Sequence, residues 1–229
     1  MPHDRHREIA EKTPSREEAG LPKTGFVFAG YSETHKISPE IFDIWMRLLS
    51  EVPGSVLWLR SANAAAMNNL SREAKARGVV PERLIFAPRM PRAEDHLARL
   101  RLADLFLDTL PYNAHTTASD ALWTGLPVLT CLGKAFPGRV AAGLLHAVGL
   151  PELVANSLSE YEALALRLAQ DADWLSAIKT RLLGNRNSEP LFDTARFTRD
   201  LESAYSAMWK RQRMGLPPAA IAVDVFPML

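Results

Sequence analysis

The stretch that decides the fold is residues 104–131, DLFLDTLPYNAHTTASDALWTGLPVLTC. Its two ends, Asp104–Asp108 and Pro127–Cys131, are short and largely apolar, which predicts buried β-strands. Between them, Thr116–Thr124 predicts a short helix, closed by the glycine at position 125. A strand, a helix and a second buried strand in close succession predict a β-α-β unit with parallel strands.

The same alternation continues on both sides of this stretch. Further strands are predicted at Phe26–Ala29, Ser55–Leu59 and Arg83–Ala87, and further helices from Pro39 onward, at Asn63–Arg77, at Ala93–Leu102 and at Phe136–Val148. Strands this short, and apolar on both faces, belong in a parallel sheet that helices cover. The predicted fold is therefore α/β, with a Rossmann-like, doubly wound parallel sheet.

The local composition divides the chain into four parts. Residues 1–23 are charged and interrupted by proline and glycine, which predicts a linker or N-terminal arm. Residues 24–150 carry the alternating pattern and form the predicted core. Residues 151–213 are mainly helical by their apolar spacing and are assigned to the same lobe. Residues 214–229 are rich in proline and apolar residues, form a tail and are assigned no structure.

Bulk properties exclude several kinds of partner. The 229 residues include 27 Lys and Arg against 26 Asp and Glu, so the net charge of +1 predicts neither nucleic acid nor an anionic membrane as a partner. A single cysteine, Cys131, allows no intrachain disulfide and indicates a reducing compartment. The charged N-terminus does not resemble a signal peptide, and no stretch approaches the roughly 20 apolar residues of a membrane span. We expect a soluble, cytoplasmic protein.

Ligands of open parallel sheets bind beyond the carboxyl ends of the strands, so the loops that follow the strands are the candidate sites. The loop after Asp108 runs into a helix that begins with Thr116 and Thr117, preceded by His115 and followed by Asp120. Free backbone N–H groups at a helix start, together with two hydroxyls, favour a phosphate. The alternative is a capping box, in which Thr117 caps the helix and Asp120 reaches back to it. The residues alone leave both interpretations open.

Two other loops carry cations. After the first strand, Lys36 lies near a helix start where it can reach a phosphate, but an ordinary solvated loop also explains it, and Glu33 counts against an anion site. Farther along, Arg92, His96 and Arg99 recur at helix-like intervals and could hold a base and a ribose. The alternative for these three is a solvated basic helix face. None of these loops holds an Asp-x-Asp pair for a metal ion, so Lys36 and the helix start would neutralise a diphosphate themselves.

Taken in this order, the loops resemble those of protein O-GlcNAc transferases, including the SPINDLY-like proteins. Lys36-Ile followed by Pro39 is similar to the family's YKI-x-P segment. Further similar blocks are Ser55–Leu59, Leu102–Asp104, Leu107–Thr109, Asn113–Thr117, Asp120–Trp123, Arg139–Ala142 and Pro190–Phe192. The similarity extends from about Gly20 to about Lys210, and the His-Thr-Thr block is its most specific part. It implies the C-terminal catalytic lobe of a two-lobed, GT-B type glycosyltransferase.

The resemblance also implies roles for residues. It implies a lobe that binds UDP-GlcNAc for inverting transfer of GlcNAc to Ser or Thr hydroxyls of proteins, without a metal ion or other cofactor. Lys36 and His115 are the implied catalytic residues: Lys36 stabilises the leaving diphosphate, and His115 lines the site. The implied contacts to UDP come from Glu33, Arg92, His96, Arg99, Thr116, Thr117 and Asp120. Among these, the threonines meet the phosphates, Asp120 holds the ribose, and the two arginines and His96 surround uracil and ribose.

The resemblance covers one lobe. The family's other catalytic lobe, and the tetratricopeptide repeats that present protein acceptors, match no part of this sequence, so we expect UDP binding and little or no transfer from this chain alone. Two alternatives stay open. One is a catalytically idle nucleotide-binding module, which the carboxylate of Glu33 favours. The other is a GT-B glycosyltransferase that uses another nucleotide sugar.

Overall fold

A six-stranded parallel sheet lies at the centre of the computed structural model, which describes residues 3–223. The strands are β1 (Val27–Gly30), β2 (Val56–Arg60), β3 (Leu84–Ala87), β4 (Leu105–Leu107), β5 (Val128–Cys131) and β6 (Val154–Ala155). They are ordered β3-β2-β1-β4-β5-β6, and every neighbouring pair is parallel. The predicted α/β, doubly wound sheet is confirmed. Residues 1–2 of the predicted arm and 224–229 of the predicted tail lie outside the described residues.

Eight helices connect and follow the strands within the described part of the chain. They are α1 (Pro39–Glu51), α2 (Ala64–Ala76), α3 (Ala93–Leu100), α4 (Thr116–Thr124), α5 (Val140–Ala147), α6 (Leu158–Gln170), α7 (Ala172–Ser188) and α8 (Thr194–Arg213). Polar side chains start several of them: Ser38 and Asn63 each accept a hydrogen bond from a backbone N–H of the first turn. Gly125 ends α4 with a φ of 87°, a left-handed conformation that glycine adopts without steric cost.

One predicted helix differs from the structure. The segment 136–148 begins with a 3₁₀ turn at Phe136–Gly138, and α5 starts only at Val140. Pro137 within this turn lacks an N–H, and Gly138 is a poor helix former, so a continuous helix is unfavourable here. The two-residue strand β6 was also not predicted, because it is too short to show a period in the sequence.

The core joins the sheet to helices from both ends of the chain. Phe28 of β1 and Phe106 of β4 are completely buried at the middle of the sheet. Trp45 of α1 donates a hydrogen bond to the hydroxyl of Tyr161 in α6 at 3.2 Å, and that hydroxyl donates to the backbone carbonyl of Asp108 at 3.0 Å. Helix α6 therefore stabilises the point where β4 ends and the loop toward α4 begins.

Residues 3–23, the N-terminal arm, lie against this domain. Leu21 is part of the hydrophobic core, and Arg16 pairs with Asp104 just ahead of β4. Closer to the start of the arm, Arg5 donates to the carbonyl of Phe192 and pairs with Asp193. Contacts at several points along its length thus fix the course of the arm over the domain surface.

Helix α8 differs from the other long helices in its exposure. All of α8 is described, and none of its residues is buried. Its apolar residues recur on one face, and Phe197, Tyr205 and Trp209 are each more than half exposed. No helix between residues 3 and 223 combines the length and apolar character needed to cross a bilayer.

Candidate functional site

The sheet order places one crevice at its centre. From β1 the chain proceeds to β2 and β3 on one side, whereas from β4 it proceeds to β5 and β6 on the other. The loops after β1 and β4 therefore diverge at the carboxyl edge of the sheet, and ligands of this fold bind at such a switch point. Three strand-end loops were predicted as candidate sites from their charged and hydroxyl side chains, and the loops after β1 and β4 are two of them.

Lys36 brings the two loops together. It ends a 3₁₀ turn at Thr34–Lys36 after β1, and its Nζ donates to the carbonyl oxygen of Asn113, in the loop after β4, at 3.0 Å. The ammonium also lies 3.7 Å from the centre of the Tyr112 ring, a cation–π contact. Partial burial lowers the pKa of Lys36, while the negative charge of Asp108 acts in the opposite direction. A cation is therefore held within reach of the residues that lead into α4.

The start of α4 has the form expected of an anion site. Thr116 and Thr117 are its first two residues, and the backbone of His115 precedes them. No side chain in the described residues caps this end, and Asp120 bonds to Arg7 of the arm. The capping-box alternative is therefore wrong. The first N–H groups of α4 and its dipole favour a negative charge at this position.

His115 stands beside this helix start among aromatic rings. Its Nε2 lies 3.3 Å from the carbonyl oxygen of Pro137, so the neutral ring carries its proton on Nε2. The ring centre is 5.2 Å from that of Tyr112 and 6.3 Å from that of Phe136. These contacts fix the ring without a partner for Nδ1 among the described residues, so this nitrogen can accept a hydrogen bond from a ligand.

Asp108, just after β4, stabilises the loop between β4 and α4 through its buried carboxylate. Its Oδ1 accepts hydrogen bonds from the backbone N–H of Thr109 at 2.8 Å and of Ala114 at 2.6 Å, and its Oδ2 accepts one from the Thr130 hydroxyl at 2.6 Å. Burial raises the pKa of Asp108 to about 7, although these hydrogen bonds and the charge of Lys36 act to lower it. The sequence pattern gave Asp108 no role, because its contacts depend on how the loop folds back.

A cavity of about 430 Å³ lies next to the start of α4. Its lining consists of Tyr31, Arg60, Arg89, Met90, Pro91, Arg92, Ala93, His96, Arg99, Thr117 and Asp120. This volume is within the range of about 300–1,000 Å³ that is typical of small-molecule sites. Five of the predicted UDP-binding residues therefore meet in one cavity, which is rich in cationic side chains.

Two of these residues form a fixed pair. Arg99 is buried and donates to Nδ1 of His96 from both Nε and Nη2, at 3.2 and 3.0 Å, and to the carbonyl of Pro88. Because Nδ1 accepts these bonds, the neutral ring of His96 carries its proton on Nε2. Burial, and then the charge of Arg99, lower the pKa of His96 and favour this neutral form. The solvated basic face thus does not describe Arg99, although Arg92 is exposed and pairs with Glu94.

Glu33 lies beside the cavity, next to one of its lining residues. It does not line the cavity; its carboxylate forms an ion pair with Arg60, which does. The sequence indicated that this carboxylate would repel a diphosphate. The adjacent guanidinium offsets that charge, so the expected repulsion is much reduced.

The predicted residues thus fall into two adjoining groups. Thr117 and Asp120 line the cavity together with Arg92, His96 and Arg99, whereas Lys36, His115 and Thr116 do not line it. Of the cavity residues that were not predicted, Tyr31, Arg60 and Arg89 stand at or just after the ends of β1, β2 and β3, where the strand-end rule locates ligands. Among residues 3–223, no group of three or more His, Cys, Asp or Glu side chains is arranged to hold a metal ion.

Solved structures share this fold. The chain superposes on a mutant O-GlcNAc transferase from Thermobaculum terrenum with a TM-score of 0.83 and 33% identity, covering 93% of this chain and 40% of that one. It also superposes on Anabaena HepE, in complex with UDP and glucose, with a TM-score of 0.62 and 16% identity, covering 87% and 55% of the two chains. The fold is that of a lobe of a GT-B glycosyltransferase.

Sequence comparison identifies the family. Residues 6–201 match the model of glycosyl transferase family 41. The chain is 37% identical over 203 residues to the UDP-N-acetylglucosamine–peptide N-acetylglucosaminyltransferase of Caenorhabditis elegans, and 39% identical over 206 residues to the probable enzyme SEC of Arabidopsis thaliana. These matches cover 89% and 90% of the chain but 18% and 21% of the two relatives. The chain belongs to glycosyl transferase family 41 and spans about a fifth of these relatives' length.

Proposed function

We propose that this chain binds UDP-GlcNAc and acts as the donor-binding lobe in an inverting, metal-independent transfer of GlcNAc to Ser or Thr of proteins. The contact between Lys36 and the Asn113 carbonyl carries the proposal, because it joins the two loops that diverge at the switch point. Lys36 and the N-terminus of α4 supply positive potential from two sides, where the charge of a leaving diphosphate would develop. The adjoining cavity takes the uridine.

Transfer needs a second lobe in this proposal. A donor site on one domain stabilises the leaving group but does not hold the acceptor hydroxyl against the sugar. The exposed apolar face of α8 supports the requirement, since a face with Phe197, Tyr205 and Trp209 in contact with water is typical of an interaction surface. We assign that face to the remainder of a two-lobed enzyme, whether it is joined to this chain or separate from it.

The nucleotide site is tested by calorimetry with UDP. Lys36→Ala should weaken UDP binding about 10- to 100-fold, because a charge-assisted contact to the diphosphate is lost. Lys75→Ala is the matched control, since Lys75 is an exposed lysine of α2 that does not line the cavity. Titrations with EDTA and with Mg²⁺ should give the same affinity. Equal affinities for wild type and Lys36→Ala would remove Lys36 from the site.

Transfer itself requires a separate assay. An acceptor peptide and UDP-GlcNAc are incubated with this chain, with and without a family 41 N-terminal catalytic lobe supplied as a second protein. Product formed only in the mixture supports the donor-lobe proposal. UDP binding without transfer under any condition favours the idle module. A clear preference for a different UDP-sugar in competition experiments would redirect the donor assignment.

A further inference from the structure

One side chain of the N-terminal arm reaches the cavity wall. Nη2 of Arg7 donates to Oδ1 of Asp120 at 2.5 Å, and the two side chains are only 20% and 13% exposed. Asp120 is a cavity-lining residue, and the charge of Arg7 also acts on the cavity-lining His96. A segment more than a hundred positions away in sequence therefore contributes a cation at the edge of the candidate nucleotide site.

The backbone of the arm fixes this side chain in place. The indole Nε1 of Trp123, in α4, donates to the carbonyl of Arg7 at 3.1 Å. On either side, the ring of His3 shares a hydrogen bond with Ser119, and the N–H of Ala10 donates to the carbonyl of Glu94. The arm thus follows α4 and reaches the start of α3, so the position of Arg7 is set by neighbouring contacts as well as by its ion pair.

The ion pair affects a nucleotide in two ways. An unpaired carboxylate near a diphosphate would repel it, and the guanidinium offsets that charge. The pairing also uses Oδ1 of Asp120, whereas Oδ2 has no hydrogen bond to any described residue and can accept one from a ligand. A carboxylate held by one oxygen presents the other in a fixed direction, as residues that support a binding site commonly do.

We propose that Arg7 is a positioning residue of the nucleotide site: it holds Asp120 so that Oδ2 accepts a hydrogen bond from a ribose hydroxyl. The proposal rests on the UDP site proposed above and adds the arm to it. It makes the arm part of the binding machinery, and it predicts that removing Arg7 impairs recognition of the ribose in particular.

Calorimetry with three ligands tests this role: UDP, 2′-deoxy-UDP and 3′-deoxy-UDP. In the wild type, at least one deoxy analogue should bind roughly tenfold more weakly than UDP, because a hydrogen bond to a charged group is lost. In Arg7→Gln, UDP itself should bind roughly 5- to 20-fold more weakly, and the ratio between UDP and that analogue should shrink toward one. Arg7→Lys, which keeps the charge, should recover part of both effects.

Arg5→Gln is the matched control, because Arg5 lies on the same arm but pairs with Asp193 and does not line the cavity. It should bind all three ligands as the wild type does. If the wild type does not bind UDP, the nucleotide site itself is refuted. If the wild type binds UDP but Arg7→Gln binds it equally well or more tightly, or loses affinity with an unchanged ribose ratio, the positioning role is wrong and the site stands.

Discussion

Replacing Asp108 by asparagine should change how the stability of the protein depends on pH. Asp108 is completely buried, and its pKa is raised from 3.8 to about 7, chiefly by that burial. Between these two pH values the folded protein holds a proton that the unfolded chain has released. Stability therefore falls as the pH rises from about 4 to 7 and is nearly constant with respect to this group above that range. Asparagine has nearly the same shape but no such proton.

The size of the effect follows from the shift. One pKa unit corresponds to about 1.4 kcal/mol, so the part of the window between pH 5 and pH 7 is worth about 2–2.5 kcal/mol. In Asp108→Asn, the new amide oxygen can still accept the two backbone hydrogen bonds that Oδ1 accepts from Thr109 and Ala114. The substitution therefore removes the titration while leaving most of the loop contacts in place.

Urea denaturation at pH 5, 6, 7 and 8 measures this difference. Relative to Asp108→Asn, the wild type should lose about 2–2.5 kcal/mol of unfolding free energy between pH 5 and pH 7, with little further change at pH 8. Thr130→Val is an informative second variant, because the Thr130 hydroxyl donates to Oδ2 and lowers the pKa of Asp108. It should extend the sloping region to higher pH. Parallel pH curves for wild type and Asp108→Asn would refute the reasoning.

Two further predictions concern buried hydroxyls and the charge near the cavity. Tyr161→Phe should lower the free energy of unfolding, measured by urea denaturation, by about 1–3 kcal/mol, because it leaves the Trp45 N–H and the Asp108 carbonyl unpaired. Tyr31→Phe is the control and should not lower it, since the Tyr31 hydroxyl has no hydrogen-bond partner among the described residues. Glu33→Gln frees Arg60 and should tighten UDP binding about two- to fivefold, less at high salt; unchanged calorimetric affinity at low salt would contradict this.

The sequence predicted the sheet well because its signals are local. Each of the first five strands is a short run of mainly apolar residues, and every predicted boundary of these strands lies within about one residue of the observed one. Strand β6 escaped prediction because a two-residue strand is formed by its pairing with β5, which no local pattern records. The cytoplasmic location was inferred from the sequence, in part from its single cysteine, and it stays a prediction.

The candidate site was predictable in composition but not in its internal contacts. Strand-end loops and family motifs led to Lys36, Thr117 and Asp120, and the structure brings these loops together at the switch point. The ion-pair partners of the site residues come from distant parts of the sequence. Arg7 of the arm pairs with Asp120 across more than a hundred positions, and Arg60 at the end of β2 pairs with Glu33 in the loop after β1. Such pairings depend on the tertiary path of the chain, which spacing along the sequence does not encode.

The hydrogen-bonded path from Trp45 through Tyr161 to the Asp108 carbonyl limits where the protein can be divided. A shortened version that stops after α5 would keep β1 to β5 but lose β6 and Tyr161, and it would leave the buried Trp45 N–H and the Asp108 carbonyl without partners. Tyr161 alone would leave behind the space of a fully buried aromatic side chain. A truncated version of this lobe should therefore end beyond Phe192, which is the last deeply buried side chain before α8.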